Sequence, residues 1–162
     1  MIYSDRNYYK MFHLFRKFIL EIIMTIHQSQ FTLQTNGRNT YSITQELEAE
    51  ILKSGITTGL CHIFIHHTSA SLIITENADP DVQTDLETLI KRIAPDGDLE
   101  YRHILEGDDD MSAHMRCVLT QTELTIPVIN RRSGLGTWQG VFLWEHRTGS
   151  FERTLTMTIT GD

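Results

Sequence analysis

The chain has 162 residues, close to the size of one ordinary domain and short of two. It is 40% hydrophobic and 22% charged, a composition that excludes collagen-like, mucin-like and largely disordered classes. With 14 Lys and Arg against 21 Asp and Glu, the formal charge is −7, which repels a phosphate backbone and argues against general nucleic-acid binding.

Residues 1–24 carry Arg6, Lys10, Arg16 and Lys17 against Asp5 and Glu21, so this end is basic while the rest is acidic. The run from Met11 to Met24 reads as a basic amphipathic helix or a weak targeting segment, but no small-residue cleavage site follows it. It is too short and too charged to span a bilayer. We read residues 1–24 as a loosely attached extension ahead of an internal start, the alternative being a surface-associating helix. Residues 25–162 form a single unit without repeats or linkers. With nothing pointing to secretion or membrane insertion, the expected location is cytoplasmic.

From Thr25 to Thr35 the sequence alternates weakly, and Asn36-Gly37 marks a turn, so the chain opens on a strand. Ser42 and Gln45 have capping-box spacing, Ile43, Leu47, Ile51 and Leu52 share a helical stripe, and Gly55 supplies a left-handed stop. Gly59 to Thr68 is apolar and β-branched, which predicts a strand with Cys61, Ile63, Ile65 and His67 on one face and Leu60, His62, Phe64 and His66 on the other. A short strand over Leu72 to Thr75 follows. Val82, Leu86, Leu89, Ile90 and Ile93 then predict a helix that packs by one face and ends at Pro95 and Gly97. Another helix is expected to begin near Asp110, with Met111, Met115 and Val118 as its apolar stripe and the acidic residues at its positive end. Glu123 to Val128, Thr137 to Glu145 and Glu152 to Thr160 read as strands, with turns at 132–136 and 147–150. Strands at both ends with helices between predict an α+β fold built mostly of antiparallel sheet, with a doubly wound parallel fold as second choice. Neither standard glycine-rich phosphate loop is present.

The two cysteines, Cys61 and Cys117, lack any Cys-x-x-Cys spacing and read as buried small hydrophobes of a reducing compartment. Chemistry is expected elsewhere. His67 ends an apolar strand, and His103 and His114 flank an acidic run. Imidazoles from separate elements suit a divalent transition metal with a position left open, and Asp110 lies four residues before His114 on the same helical side. Its carboxylate could orient the ring, ligate the metal or act as a base. Any single histidine can equally be a hydrogen-bonded structural one, as His13, His27 and His62 are taken to be; His66 stays open. Residues 76–110 hold twelve carboxylates against Lys91, Arg92 and Arg102, mostly a solvated surface. The tight triplet Asp108-Asp109-Asp110 is relieved either by a cation or by a helix N-terminus. Strand parity over residues 138–146 puts Gln139, Val141, Leu143 and Glu145 on one face and Trp138, Phe142, Trp144 and His146 on the other. Glycines at 134, 136 and 140 would allow close approach by a ligand or a neighbouring subunit.

The segments HHTSASLIITENADP (66–80), YRHILEGDDDMSAHM (101–115) and GLGTWQGVFLWEHR (134–147), in this order, closely resemble the YjbQ family, often named secondary thiamine-phosphate synthase enzymes. The resemblance covers roughly residues 25–162. It implies an antiparallel β-sandwich with a few short helices, a homotrimer with sites near subunit boundaries, and a small-molecule pocket. Carried over motif by motif, it points to His67, Asp110, His114 and Glu145 as catalytic candidates. His67, His103, Asp109 and His114 are the candidate ligands of a divalent ion, zinc or magnesium, and Ser69, Trp138 and Gln139 the candidate ligand-binding residues. Ser112 stands where proline is usual in the family, and residues 1–24 have no counterpart in typical members.

The implied reaction joins a pyrimidinylmethyl diphosphate to a thiazole phosphate, which needs a cation on the leaving diphosphate and preorganised groups around the developing pyrimidinylmethyl cation. A histidine cluster without a phosphate loop suits metal-assisted hydrolysis at least as well. A third expectation is a trimer that binds a small molecule without transforming it.

Overall fold

In the computed structural model the described residues are Met11 and 24–162; the expected N-terminal extension otherwise lies outside them. The elements in chain order are β1 (Thr25–Asn36), β2 (Asn39–Ser42), α1 (Thr44–Ser54), β3 (Thr58–Ile65), β4 (Ala70–Glu76), α2 (Pro80–Ile93), α3 (Asp108–Leu119), β5 (Glu123–Ile129), β6 (Arg132–Ser133), β7 (Gln139–Glu145) and β8 (Ser150–Gly161). Two sheets result, ordered β1-β8-β3-β5-β6 and β2-β7-β4. Every strand pairing is antiparallel. The α+β expectation holds, and the doubly wound parallel alternative does not.

Alternation of side chains along each strand builds the core. Cys61, Ile63 and Ile65 of β3, Leu124, Ile126 and Val128 of β5, and Leu155, Met157 and Ile159 of β8 point inward, where they meet Leu72, Val141 and Leu143 of the second sheet. Helix α1 adds Leu47 and Ile51, while Leu52, expected on the same stripe, is 60% exposed. The predicted capping box does not form. Ile43 takes the N-cap position without a side-chain bond. Instead, Ile43 N–H donates to the Val141 carbonyl at 2.9 Å, and Val141 N–H donates to the Thr44 hydroxyl at 2.9 Å. A tertiary contact with β7 therefore starts this helix. Gly55 stops it as predicted, in the left-handed region at φ 74°.

Two helices depart from their expected faces. Only Ile90 of α2 is fully buried, and Leu89 and Ile93 remain half exposed. On α3 the predicted stripe is wrong: Val118 is 85% exposed, while Asp110, Ser112, Ala113, Arg116 and Cys117 are buried. Polar residues can take the buried face here because each finds a partner. Arg116 donates to the Ala94 carbonyl (3.0 and 3.3 Å) and to Glu87 (3.0 Å). Asn130 and Arg131, at φ 52° and 63°, make a tight hairpin that places β6 directly after β5, earlier than the predicted turn.

A second buried polar layer lies at the end of β7. Glu145 is fully buried and meets the Arg153 guanidinium at 2.6 Å through both oxygens, with Thr35 Oγ1 donating at 2.7 Å. Its neighbour His146 points to the opposite face, where Nε2 lies 2.8 Å from Ser71 Oγ. Burial, reinforced by the charges of Arg116, Arg38 and Arg153, pushes the His146 imidazole from 6.5 down to about 3.

The registers of β3 and β8 bring Gly59 opposite Gly161. A Cβ at Gly59 would stand 2.0 Å from the Thr160 carbonyl oxygen. Gly59→Ala is therefore expected to cost about 3 kcal/mol in urea unfolding, whereas the neighbouring exposed Leu60→Ala should change stability by only about 0.5 kcal/mol. For His146 the unfolded ring binds protons first as pH falls below 6.5. Its contribution to stability is thus complete above that pH and is lost toward acid, at up to about 1.4 kcal/mol per pH unit. Urea midpoints measured from neutral pH down to about pH 5 should fall less steeply for His146→Gln than for the unsubstituted chain.

Candidate functional site

The loop between α2 and α3 and the first two turns of α3 bring together one acid and two imidazoles. Asp110 lies on the buried side of α3 and is 1% exposed; His114 follows one helical turn later, which stacks the two side chains. His103 comes from the preceding loop. His103 Nε2 lies 2.7 Å and His114 Nε2 3.3 Å from Asp110 Oδ2, and the ring centroids are 5.5 Å apart. The carboxylate sits beneath, and the imidazoles form a partly open rim, with side-chain exposures of 47% for His103 and 32% for His114.

The donor atoms fit a metal ion. His103 Nε2, Asp110 Oδ2 and His114 Nε2 lie within 4.8 Å of one another. His114 Nδ1–H donates to the Thr68 carbonyl at 2.9 Å, which fixes the tautomer and leaves the Nε2 lone pair facing Asp110. Asp110 Oδ2 is buried yet makes no well-directed hydrogen bond, despite two ring nitrogens close by. A buried carboxylate oxygen with no well-directed hydrogen bond, set beside the His114 lone pair and the His103 ring, is what a shared cation would satisfy. Two nitrogens and one oxygen suit a borderline transition ion such as zinc better than magnesium, which prefers oxygen donors.

The remaining candidates are distributed differently. Thr154 N–H donates to His67 Nε2 at 2.8 Å, so that nitrogen is occupied and His67 stands outside the cluster. Burial, then the charge of Arg153, lowers its pKa, which keeps the ring neutral. His67 and His114 still share the wall of an open depression of about 530 Å3 with Thr68, Cys117 and Val118. His66 faces outward and meets the Thr156 hydroxyl at 2.7 Å, in agreement with the strand parity. Asp109, expected as a ligand, turns away toward Thr148, whose N–H and hydroxyl donate at 2.7 and 2.8 Å. Burial alone would raise the Asp109 carboxyl, but these bonds and Arg147 outweigh it and hold the group below its ordinary value. Asp110 therefore stands in the cluster where Asp109 was expected.

Glu145 is absorbed by Arg153 and is no free carboxylate. Ser69 is buried just before β4 and lines a second depression with His66 and His67. Trp138, 65% exposed, precedes β7 and Gln139 opens it, a strand length from Glu145 at its other end. Gln139 bonds instead to Gly136 and Asn77. A Cβ at Gly134 would stand 2.9 Å from this chain's own Pro127, and one at Gly140 would stand 2.8 Å from Phe142, so close packing within the chain already calls for glycine at both positions. Burial pushes both thiols up to about 12, consistent with Cys61 and Cys117 as inert hydrophobes. Arg147, which no sequence argument singled out, contacts Asp110, Asp109 and the Glu106 carbonyl. Its adjacency to Glu145-His146 was the available signal. No helix among the described residues is long and apolar enough to cross a membrane.

The family model described as UPF0047 protein YjbQ-like matches residues 29–162. A UPF0047 protein of Synechocystis is 48% identical over 136 residues, covering 84% of this chain and 92% of its own length. The UPF0047 protein YjbQ of Escherichia coli O157:H7 is 36% identical, with 84% and 99% covered. The crystal structure of a YbjQ-like protein of unknown function from Sulfolobus solfataricus superposes with a TM-score of 0.79 at 28% identity, covering 86% of this chain and 99% of that one. An uncharacterized YjbQ/UPF0047 family protein of Clostridium acetobutylicum gives 0.74 at 31% identity, with 81% and 98% covered. With the family model matched over residues 29–162 and the fold shared over 86% of its length, the chain is a member of the YjbQ-like UPF0047 family.

Proposed function

We propose that the protein is a metal-dependent hydrolase acting on a small molecule at the His103–Asp110–His114 cluster. The observation that carries this reading is the buried, unsatisfied Asp110 Oδ2 with two imidazole nitrogens at 2.7 and 3.3 Å. A zinc-class ion held there would supply Lewis acidity, polarising a substrate oxygen and activating water near neutral pH. The chain's own residues set the rest. Thr68 orients His114, burial holds Asp110 in one place, and half-exposed His103 closes the rim. Neutral His67 offers a hydrogen-bonding ring to the adjoining depression without adding charge.

Thiamine-phosphate formation is the second reading, supported by the family resemblance. It needs cationic groups for a departing diphosphate, whereas imidazoles, hydroxyls and apolar groups line the depression beside His114. That lining favours a neutral ester or amide. A homotrimer fits the same reading, because exposed Ile104 and Leu105 follow His103 and exposed Val118 and Leu119 follow His114, flanking the cluster with apolar surface that a subunit contact would cover.

Protein prepared without chelators should hold roughly one zinc per chain. His114→Ala and Asp110→Asn should lose that metal and lower hydrolysis by more than the about 10–100-fold typical of losing an outer partner. A panel of esters, amides, phosphoesters and the two synthase substrates, with chain stoichiometry from light scattering, separates the readings. Absence of stoichiometric metal, or unaltered turnover in both variants, overturns the hydrolase.

A further inference from the structure

Arg147 lies where the turn after β7 passes beneath the cluster. One of its guanidinium nitrogens, Nη1, forms a close ion pair with Asp110 Oδ1, the oxygen that does not face the imidazoles. Nη2 donates to the Glu106 carbonyl at 2.8 Å, and Nε lies 3.3 Å from Asp109 Oδ1. The side chain is only 12% exposed, and its guanidinium sits 5.4 Å from the Phe151 ring centroid. Its backbone is held as well: Arg147 N–H donates to Glu145 Oε1 at 3.0 Å, and Glu145 is locked by Arg153.

A carboxylate on a flexible torsion can offer a cation either oxygen or both. With Oδ1 engaged by a guanidinium, Asp110 can present only Oδ2 to the imidazoles. The same guanidinium holds Glu106, three residues after His103, against the first turn of α3. We infer that Arg147 is a positioning residue that restricts Asp110 to a one-oxygen ligand and docks the His103 loop onto the helix carrying Asp110 and His114. The inference rests on the metal-centre reading above, and it concerns how that centre is assembled. Two effects of the guanidinium oppose each other. Its fork preorganises the donors, whereas its positive charge so near the cluster repels a cation. Orientation dominates because the contacts span both segments that supply ligands.

The opposition makes the test decisive. Zinc affinity of the full chain would be measured by competition with a chromophoric chelator, alongside the absorption spectrum of the cobalt-loaded protein and the thermal midpoint of the metal-free protein. Arg147→Met removes fork and charge; Arg147→Lys keeps the charge and loses the fork. Both should weaken zinc binding about 10–100-fold and alter the cobalt spectrum. In the Arg147→Met background, His103→Ala should cost less affinity than in the unsubstituted chain, because the loop is already undocked. Unchanged or tighter binding in Arg147→Met, or full affinity in Arg147→Lys, overturns the positioning role while leaving the metal centre intact. If Arg147→Met does not fold, Arg147→Lys and its cycle with His103→Ala decide alone. An unsubstituted chain that binds no zinc removes the metal-centre reading and this inference with it.

Discussion

Asp110 places a carboxylate at the floor of the candidate site, where almost no water reaches it, and the surrounding chain is organised to hold that charge. Burying an ionised carboxylate without partners costs several kcal/mol, on the order of what one ion loses on leaving water. Arg147 answers one oxygen, and His103 and His114 crowd the other. The position of α3, the path of the loop before it and the turn after β7 all follow from that arrangement.

Similar bargains recur deeper in the fold. Glu145 and Arg153 neutralise each other between the sheets, while Arg116, itself fully buried, bonds Glu87 and the Ala94 carbonyl. Burial lowers the Arg116 pKa first, with Arg38 adding to it, and Glu87 and Asp96 oppose both. His146 takes the other solution and stays neutral. These layers separate roles that look alike in composition: carboxylates such as Glu145 and Asp109 are consumed by cations and hydroxyls, and Asp110 keeps one oxygen available.

Much of the fold was readable from local pattern. Alternation along β3, β5 and β8 is strong because each strand has one face on the core, and Gly55 stops α1 because the left-handed conformation needs it. The failures share a cause. On α3 the apolar residues Met111, Met115 and Val118 suggested one face, but Arg116 and Asp110 bury the other, since tertiary partners can satisfy charges that periodicity assigns to solvent. The start of α1 was likewise set chiefly by Val141, distant in sequence, through bonds of 2.9 Å, whereas Ser42 contributes only a long 3.5 Å bond from Thr44 N–H.

The family, the antiparallel α+β class, and the presence of His103, Asp110 and His114 in one short stretch with helical spacing between the last two could all be read along the chain. These are properties of order and period along the chain. Folding in three dimensions was needed to show that Asp110 rather than Asp109 faces the imidazoles, that a backbone N–H occupies His67 Nε2, and that Arg147 contacts Asp110, Asp109 and Glu106 together. Adjacent acids in the first turn of a helix differ by about 100° in direction. Which of them turns toward a ring or toward a guanidinium depends on what the returning strands place there.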